Sequence, residues 1–96
     1  MFILICYDVN TQDKEGRTRL RKVAKQCVNY GQRVQNSVFE CIIEPALWVT
    51  VKAKLESIID KEKDSLRFYY MGKEKSAKVE HIGAKESIDM QGPLIL

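Results

Sequence analysis

The chain has 96 residues, of which 45% are hydrophobic and 30% charged, and a formal net charge of +3 at pH 7. This length is typical of one small domain, and the composition excludes an intrinsically disordered chain. No stretch reaches the roughly 20 apolar residues of a transmembrane helix, and the N-terminus lacks the basic start of a signal peptide. We therefore expect a cytoplasmic protein with no membrane partner.

The three cysteines, Cys6, Cys27 and Cys41, lie far apart, each within an apolar segment. Their odd number and wide spacing match neither a disulfide framework nor a CxxC metal knuckle. We expect buried free thiols in a reducing compartment.

The N-terminal segment predicts a strand over residues 2–8. Six apolar residues, from Phe2 to Tyr7, run without interruption into Asp8, which is typical of a short strand buried on both faces. A carboxylate beside buried apolar surface needs a cation, a set of donors or a function, because desolvating a charge is costly. From the residues alone, Asp8 is either a metal ligand or the cap of a turn or helix.

A helix is predicted from about residue 14 to Tyr30. Asp13 is a suitable N-cap, and Gly31 fits a C-cap glycine. One apolar stripe recurs at helical spacing and should face the core: Leu20, Val23, Ala24, Cys27 and Val28.

Most of the excess positive charge lies in residues 14–33. Seven cations accompany a single acid, Glu15: Lys14, Arg17, Arg19, Arg21, Lys22, Lys25 and Arg33. A solvated helix face is the alternative interpretation, but such faces usually mix both signs. The imbalance indicates contacts to phosphate, which position nucleic acid without reading its sequence. For Arg33, bracing the helix against the sheet is an equal alternative.

The rest of the chain continues the alternation of strands and helices. Residues 32–44 predict a strand that a polar interruption splits in two, and Pro45 fits the start of a second helix that ends near residue 60. The apolar residues of this helix recur at helical spacing: Leu47, Val51, Leu55 and Ile58. The charged run 60–64 is expected to be a solvated connection. Two further strands are predicted, over residues 66–71 and 78–82.

This order predicts an α+β fold, a ferredoxin-like βαββαβ domain over residues 1–83 with an additional C-terminal strand. Both helices would cover one face of the antiparallel sheet and leave the other face open. Because the first strand is apolar on both sides, we expect a second copy of the chain to cover that face as a homodimer. The apolar tail, residues 84–96, would add a strand to the partner or dock elsewhere; a frayed terminus is the alternative.

Several segments resemble the CRISPR-associated protein 2 family. They are ICYDV at residues 5–9, GRTRLRKVA at 16–24, YGQRVQNSVFE at 30–40 and DSLRFY at 64–69. The stretch GQRVQNSVFE is highly specific, whereas a strand that ends in Tyr-Asp would be weak alone. The resemblance covers nearly the whole chain in order.

The resemblance implies a ferredoxin-like homodimer that bridges CRISPR-associated protein 1 integrase dimers during spacer acquisition and supports duplex DNA on its basic surface. It also implies a metal-dependent endonuclease that uses Mg²⁺ or Mn²⁺ and acts on RNA or duplex DNA. Asp8 matches the family's metal-binding aspartate, and Tyr7 matches a position tied to activity. A toxin-type ribonuclease of similar fold is the alternative function.

The resemblance, together with the basic segment, also assigns further site residues. The nucleic-acid-binding candidates are Arg17, Arg19, Arg21 and Arg33. Phe39 matches a position tied to dimer or core packing. His81, the single histidine, falls in the middle of a predicted strand and is expected to be structural rather than a general base.

Overall fold

Five strands and two helices make up the part of the chain that the computed structural model describes, residues 1–72 and 78–84. The elements are β1 (Phe2–Asp8), α1 (Lys14–Tyr30), β2 (Gln32–Gln35), β3 (Val38–Ile42), α2 (Pro45–Ile58), β4 (Ser65–Met71) and β5 (Lys78–Gly83). The predicted order of elements is therefore confirmed. Most of the predicted loop after β4 and nearly all of the predicted tail lie outside the described residues.

The strands form one antiparallel sheet in the order β2-β3-β1-β4-β5. The central strand β1 pairs Ile3 with Cys41 of β3 on one side and with Tyr70 of β4 on the other. This is the predicted ferredoxin-like α+β arrangement. The additional strand, β5, lies at the edge beside β4.

The core lies between the two helices and one face of this sheet. Side chains alternate along β1, so Ile3, Ile5 and Tyr7 point toward the helices. Phe39 is completely buried in this core, and the role in dimer or core packing that the resemblance assigns to it stays a prediction. Trp48 of α2 packs edge-on against Phe68 of β4, with ring centroids 5.0 Å apart.

The opposite face of the sheet, called here the open face, carries the alternate residues of β1. Leu4 is buried there, whereas Phe2 is 38% exposed. Phe2 pairs in register with Ile42 of β3 and with Met71 of β4, which are also exposed. The open face therefore ends in an exposed apolar row across three strands.

The ends of α1 show why local signals predicted its bounds well. The carboxylate of Asp13 accepts a hydrogen bond from the Gly16 N–H at 2.8 Å, as an N-cap should. Gly31 ends the helix, but not as a left-handed C-cap glycine, because its backbone is extended (φ −144°). A Cβ at this position would overlap the carbonyl oxygen of Glu40, so the close approach of β3 explains the glycine.

A polar network attaches β5 to α2 and β4. Glu80 accepts hydrogen bonds from the Lys52 ammonium at 2.6 Å and from the Tyr70 hydroxyl at 2.7 Å. The Trp48 indole N–H in turn donates to the Tyr70 hydroxyl at 3.2 Å. Burial and the Glu80 hydrogen bond raise the pKa of Tyr70 to about 12, so the phenol remains a neutral donor.

The three cysteines are free, as predicted. Cys27 and Cys41 are buried in the core, and Cys6 is partly exposed on the open face. Burial raises the pKa of the Cys27 thiol to about 12. A thiol protonated at neutral pH is a packing residue rather than a nucleophile.

Candidate nucleic-acid interface and metal site

Tyr7 and Asp8 are adjacent in β1, and their side chains leave the sheet on opposite faces. Asp8 is exposed at the end of the strand, where it pairs in register with Ser65 of β4. The Tyr7 ring is 6% exposed and stacks on Phe39, with ring centroids 6.1 Å apart. Within one chain, the phenol and the carboxylate therefore do not form a single site.

The Tyr7 hydroxyl lies at the edge of the core rather than at its centre. It donates a hydrogen bond to the carbonyl oxygen of Asn36 at 3.3 Å. Burial raises the pKa of this phenol, and the nearby Arg33 guanidinium only partly opposes the effect. At neutral pH Tyr7 can donate a hydrogen bond but cannot act as a base.

Three of the four predicted arginines meet around one depression, called here the arginine groove. Arg17 and Arg21 come from successive turns of α1, and Arg33 comes from β2. The groove has a volume of about 270 Å³ and is lined by Tyr7, Arg17, Leu20, Arg21, Ala24, Arg33 and Asn36. These lining residues include no carboxylate, so the groove is a local concentration of positive charge.

Arg33 is held in place by the core beneath it. Its guanidinium carbon lies 5.0 Å from the centroid of the Phe39 ring, a distance typical of a cation–π contact. The contact joins β2 to the neighbouring strand β3, so the predicted bracing of the helix against the sheet by Arg33 stays a prediction. The side chain is nevertheless exposed, so one residue can both brace the hairpin and present charge to the groove.

Arg19, the fourth predicted arginine, points away from this groove and forms an ion pair with Asp64. Its Nε lies 2.7 Å from one carboxylate oxygen, and its terminal nitrogen donates to the other oxygen at 3.3 Å. Arg19 is only 15% exposed and Asp64 is fully buried. The predicted nucleic-acid contact of Arg19 stays a prediction, but its guanidinium already has a structural partner.

The prediction that residues 60–64 form a solvated connection is wrong at Asp64. Besides Arg19, this carboxylate accepts hydrogen bonds from the backbone N–H groups of Asn10 and Asp60, each at 2.9 Å. Burial alone would raise the pKa of Asp64, but Arg19 and the two N–H groups outweigh it and lower the pKa. The carboxylate is therefore kept charged inside the protein.

This Arg19–Asp64 pair fixes the loop that follows Asp8. Asn10 lies in that loop, and Arg19 lies in α1, whose cations line the arginine groove. The loop also packs tightly on the first turn of α1, since a Cβ at Gly16 would overlap the carbonyl oxygen of Asn10. The structural role of Asp64 was not predicted from the sequence, although this acid stands directly before the apolar strand β4.

Asp8 is the candidate metal ligand that the sequence and the family resemblance indicate. The described residues of one chain contain no group of three or more His, Cys, Asp or Glu side chains that could hold a metal ion. Mg²⁺ commonly keeps several waters and binds through one or two carboxylates together with phosphate oxygens. The exposed carboxylate of Asp8 fits this pattern if a ligand or a second chain supplies further oxygens.

Buried polar atoms lie on the open face next to β1. Cys6, Arg67 and His81 pair in register across β1, β4 and β5. The Nε of Arg67 and both ring nitrogens of His81 are buried and have no hydrogen-bond partner among the described residues. His81 lies within a strand, as predicted, but its polar atoms are not satisfied within this part of the chain.

The sequence matches the family model described as CRISPR associated protein Cas2 over residues 1–79. The chain belongs to the Cas2 family. This confirms the resemblance found in the sequence, which rested on the segments around Asp8, α1 and the β2–β3 hairpin.

Relatives in the Cas2 family match over almost the entire chain. The CRISPR-associated endoribonuclease Cas2 of Nitratidesulfovibrio vulgaris is 57% identical over 96 residues, covering 100% of this chain and 94% of the relative. The CRISPR-associated endonuclease Cas2 of Halalkalibacterium halodurans is 60% identical over 95 residues, or 99% of each protein.

Solved structures of the Cas2 family share the fold. The crystal structure of Streptococcus pyogenes Cas2 at pH 6.5 superposes with a TM-score of 0.70 and 60% identity, covering 76% of this chain and 88% of that one. A second Cas2 crystal structure, 24% identical with a TM-score of 0.61, supports the fold alone. Neither described helix of the present chain is long and apolar enough to cross a membrane.

Proposed function

We propose that this chain is a homodimeric Cas2 protein that binds duplex DNA through the arginine groove during spacer acquisition. The convergence of Arg17, Arg21 and Arg33, with no acid among the residues that line the groove, carries this proposal. Guanidinium groups bind phosphate oxygens in pairs of parallel hydrogen bonds. Contacts of this kind position a duplex without reading its sequence, as the capture of varied spacers requires.

The homodimer is proposed because the open face has features that a second copy would cover. Its apolar row, Phe2, Ile42 and Met71, is exposed, and Ile42 is exposed over 82% of its surface. The buried nitrogens of Arg67 and His81 also need hydrogen-bond partners, since buried polar groups are rarely left unpaired. A two-fold axis across this face would bring two copies of Asp8 toward one another.

Oligomeric state tests the dimer directly. Light scattering should give the mass of two chains for the wild type, and Ile42→Lys should shift the mass toward one chain because it places a charge in the apolar row. Thr50→Lys, at an exposed position on α2, is the matched control and should remain dimeric. A wild type that stays monomeric at micromolar concentration would contradict the dimer and the shared Asp8 site.

Endonuclease activity, dependent on Mg²⁺ or Mn²⁺, is the second part of the proposal. It is supported by the relatives, which are named endoribonuclease and endonuclease, and by the exposed carboxylate of Asp8. A bound metal would polarise the phosphodiester and lower the pKa of an attacking water. The described residues contain no group of three or more potential metal ligands, so in this proposal the partner's copy of Asp8 contributes to the metal site.

Activity of matched variants tests the nuclease. Asp8→Asn should abolish Mg²⁺-dependent cleavage of both RNA and duplex DNA while the mass of the dimer is unchanged. Glu62→Gln removes an exposed carboxylate from the turn before β4 and should cleave like the wild type. Full cleavage by Asp8→Asn would show that Asp8 is not the metal ligand.

Binding measurements test the adaptation role separately. Replacing Arg17, Arg21 and Arg33 together by Gln should weaken duplex DNA binding and reduce its salt dependence. The same variant should be captured by the CRISPR-associated protein 1 integrase but should fail to retain DNA in that complex. Unchanged DNA affinity would overturn the role of the arginine groove. Membership of the Cas2 family favours this role over a toxin-type ribonuclease.

A further inference from the structure

A second cationic depression, called here the helix groove, runs between α1 and α2. It has a volume of about 470 Å³ and is lined by Thr18, Arg19, Lys22, Lys25, Gln26, Asn29, Lys54, Ser57 and Ile58. Four of these side chains are cationic and none is acidic. We propose that the helix groove binds a further stretch of the same nucleic-acid backbone that occupies the arginine groove.

The lysines of this groove are the cations available to a ligand. Lys22, Lys25 and Lys54 are exposed, and the salt bridges of the described residues are formed by Arg19, Lys52 and Lys63 instead. Arg19, the fourth cation that lines the groove, is already paired with Asp64. No carboxylate of the described residues forms a salt bridge with these three lysines, so their charge is available to a ligand.

The three lysines lie close together around the helix groove. Lys22 and Lys25 are three residues apart on α1 and so lie on the same side of the helix. Lys54 faces them from α2. Like charges this close repel each other, and a bound polyanion removes that repulsion. The groove is thereby complementary to a chain of phosphates rather than to a neutral ligand.

The position of the helix groove favours nucleic acid over an acidic protein. The two grooves lie on either side of α1, and Arg21 of the first is four residues from Lys25 of the second, which makes them neighbours on the helix surface. A backbone held by Arg21 can therefore continue across α1 to Lys25. The amide side chains of Gln26 and Asn29 supply further donors to phosphate oxygens.

This inference rests on the proposed function of the arginine groove, and the experiment separates the two. The probe is a fluorescein-labelled duplex of mixed sequence, titrated at several salt concentrations. A variant with Lys22→Gln, Lys25→Gln and Lys54→Gln should bind at least roughly tenfold more weakly at low salt. Its plot of log K against log salt should be shallower by about 2–3, because up to three phosphate contacts are lost.

A matched control removes the same charge elsewhere. Lys61→Gln, Lys63→Gln and Lys78→Gln change three exposed lysines that line neither groove and should alter the slope little. Equal losses in the two triple variants would overturn the inference, as would competition by polyglutamate as effective as that by duplex DNA.

The variant of the arginine groove completes the comparison. One outcome is that the triple arginine variant weakens binding while the triple lysine variant behaves like its control. In that case only the proposed role of the helix groove in DNA binding is refuted. If neither variant weakens binding, the proposed function fails as well. Losses in both variants, larger than in the control, support one continuous path across α1.

Discussion

Arg19 and Asp64 form a buried ion pair in which the guanidinium Nε lies 2.7 Å from the carboxylate. Each carboxylate oxygen also accepts a backbone N–H, one from Asn10 and one from Asp60. The pair therefore joins α1, the loop after Asp8 and the turn before β4. It holds the candidate metal ligand and the helix that carries the cations in a fixed relation.

Removing the carboxylate should destabilise the whole domain. Asp64→Ala leaves two buried N–H groups without an acceptor, each at a cost of about 1–3 kcal/mol, so we expect the free energy of unfolding to fall by about 3 kcal/mol. Urea denaturation measures this loss. Glu62→Ala, an exposed acid in the same turn, should change it by less than about 0.5 kcal/mol. A similarly small change in the free energy of unfolding for Asp64→Ala would show that the Arg19–Asp64 pair contributes little to stability.

Acid should destabilise the fold through the same carboxylate and through Glu80. Arg19 and two N–H groups outweigh burial and lower the pKa of Asp64, and the Lys52 hydrogen bond lowers the pKa of Glu80. A pKa that is lower in the folded state stabilises the protein above the unfolded pKa, about 3.9 for Asp and about 4.3 for Glu. That contribution is lost as the pH falls through the folded pKa.

The urea midpoint should therefore be level near neutral pH and should fall below about pH 4–5. Asp64→Asn should lower the midpoint at neutral pH and make the acid-induced decline shallower, because one linked group is gone. If the urea midpoint of Asp64→Asn falls with acid as steeply as that of the wild type, the pKa of Asp64 is not lowered by its hydrogen-bond partners in the folded state.

The order of elements could be predicted because each element carries its own local signals. Asp13 begins α1, Pro45 begins α2, and the apolar residues between such signals follow the period of a helix or strand. The role of Asp64 could not be predicted in this way. Its partner Arg19 is 45 residues away in the chain, and no local pattern records which distant cation a carboxylate will meet.

The candidate site was predictable in composition but not in arrangement. The excess of cations in residues 14–33 is visible in the sequence, as is Asp8 at the end of an apolar strand. Which arginines share a groove depends on the helical phase of α1 and on where the β2–β3 hairpin places Arg33. The helical phase places Arg19 on the opposite side of α1 from Arg17 and Arg21.

Gly16 should be intolerant of any side chain. A Cβ there would overlap the backbone of Asn10, so Gly16→Ala must displace the loop after Asp8 or the first turn of α1. We expect a lower urea midpoint together with weaker Asp8-dependent cleavage, since the same loop follows the candidate ligand. Thr18→Ala, two residues further along the first turns of α1, should be nearly neutral. An unchanged midpoint for Gly16→Ala would show that the loop can move without cost.

Tyr7→Phe distinguishes a catalytic phenol from one that packs and binds. The hydroxyl donates to Asn36 and lies at the arginine groove, whereas Asp8 leaves the opposite face of the sheet. We expect Tyr7→Phe to lose about 0.5–1.5 kcal/mol of unfolding free energy, the value of one hydrogen bond, and to bind duplex DNA slightly less tightly. Metal-dependent cleavage, measured under single-turnover conditions with saturating protein, should persist. A loss of cleavage as large as that of Asp8→Asn, with binding intact, would instead establish the catalytic role that the family resemblance assigns to Tyr7.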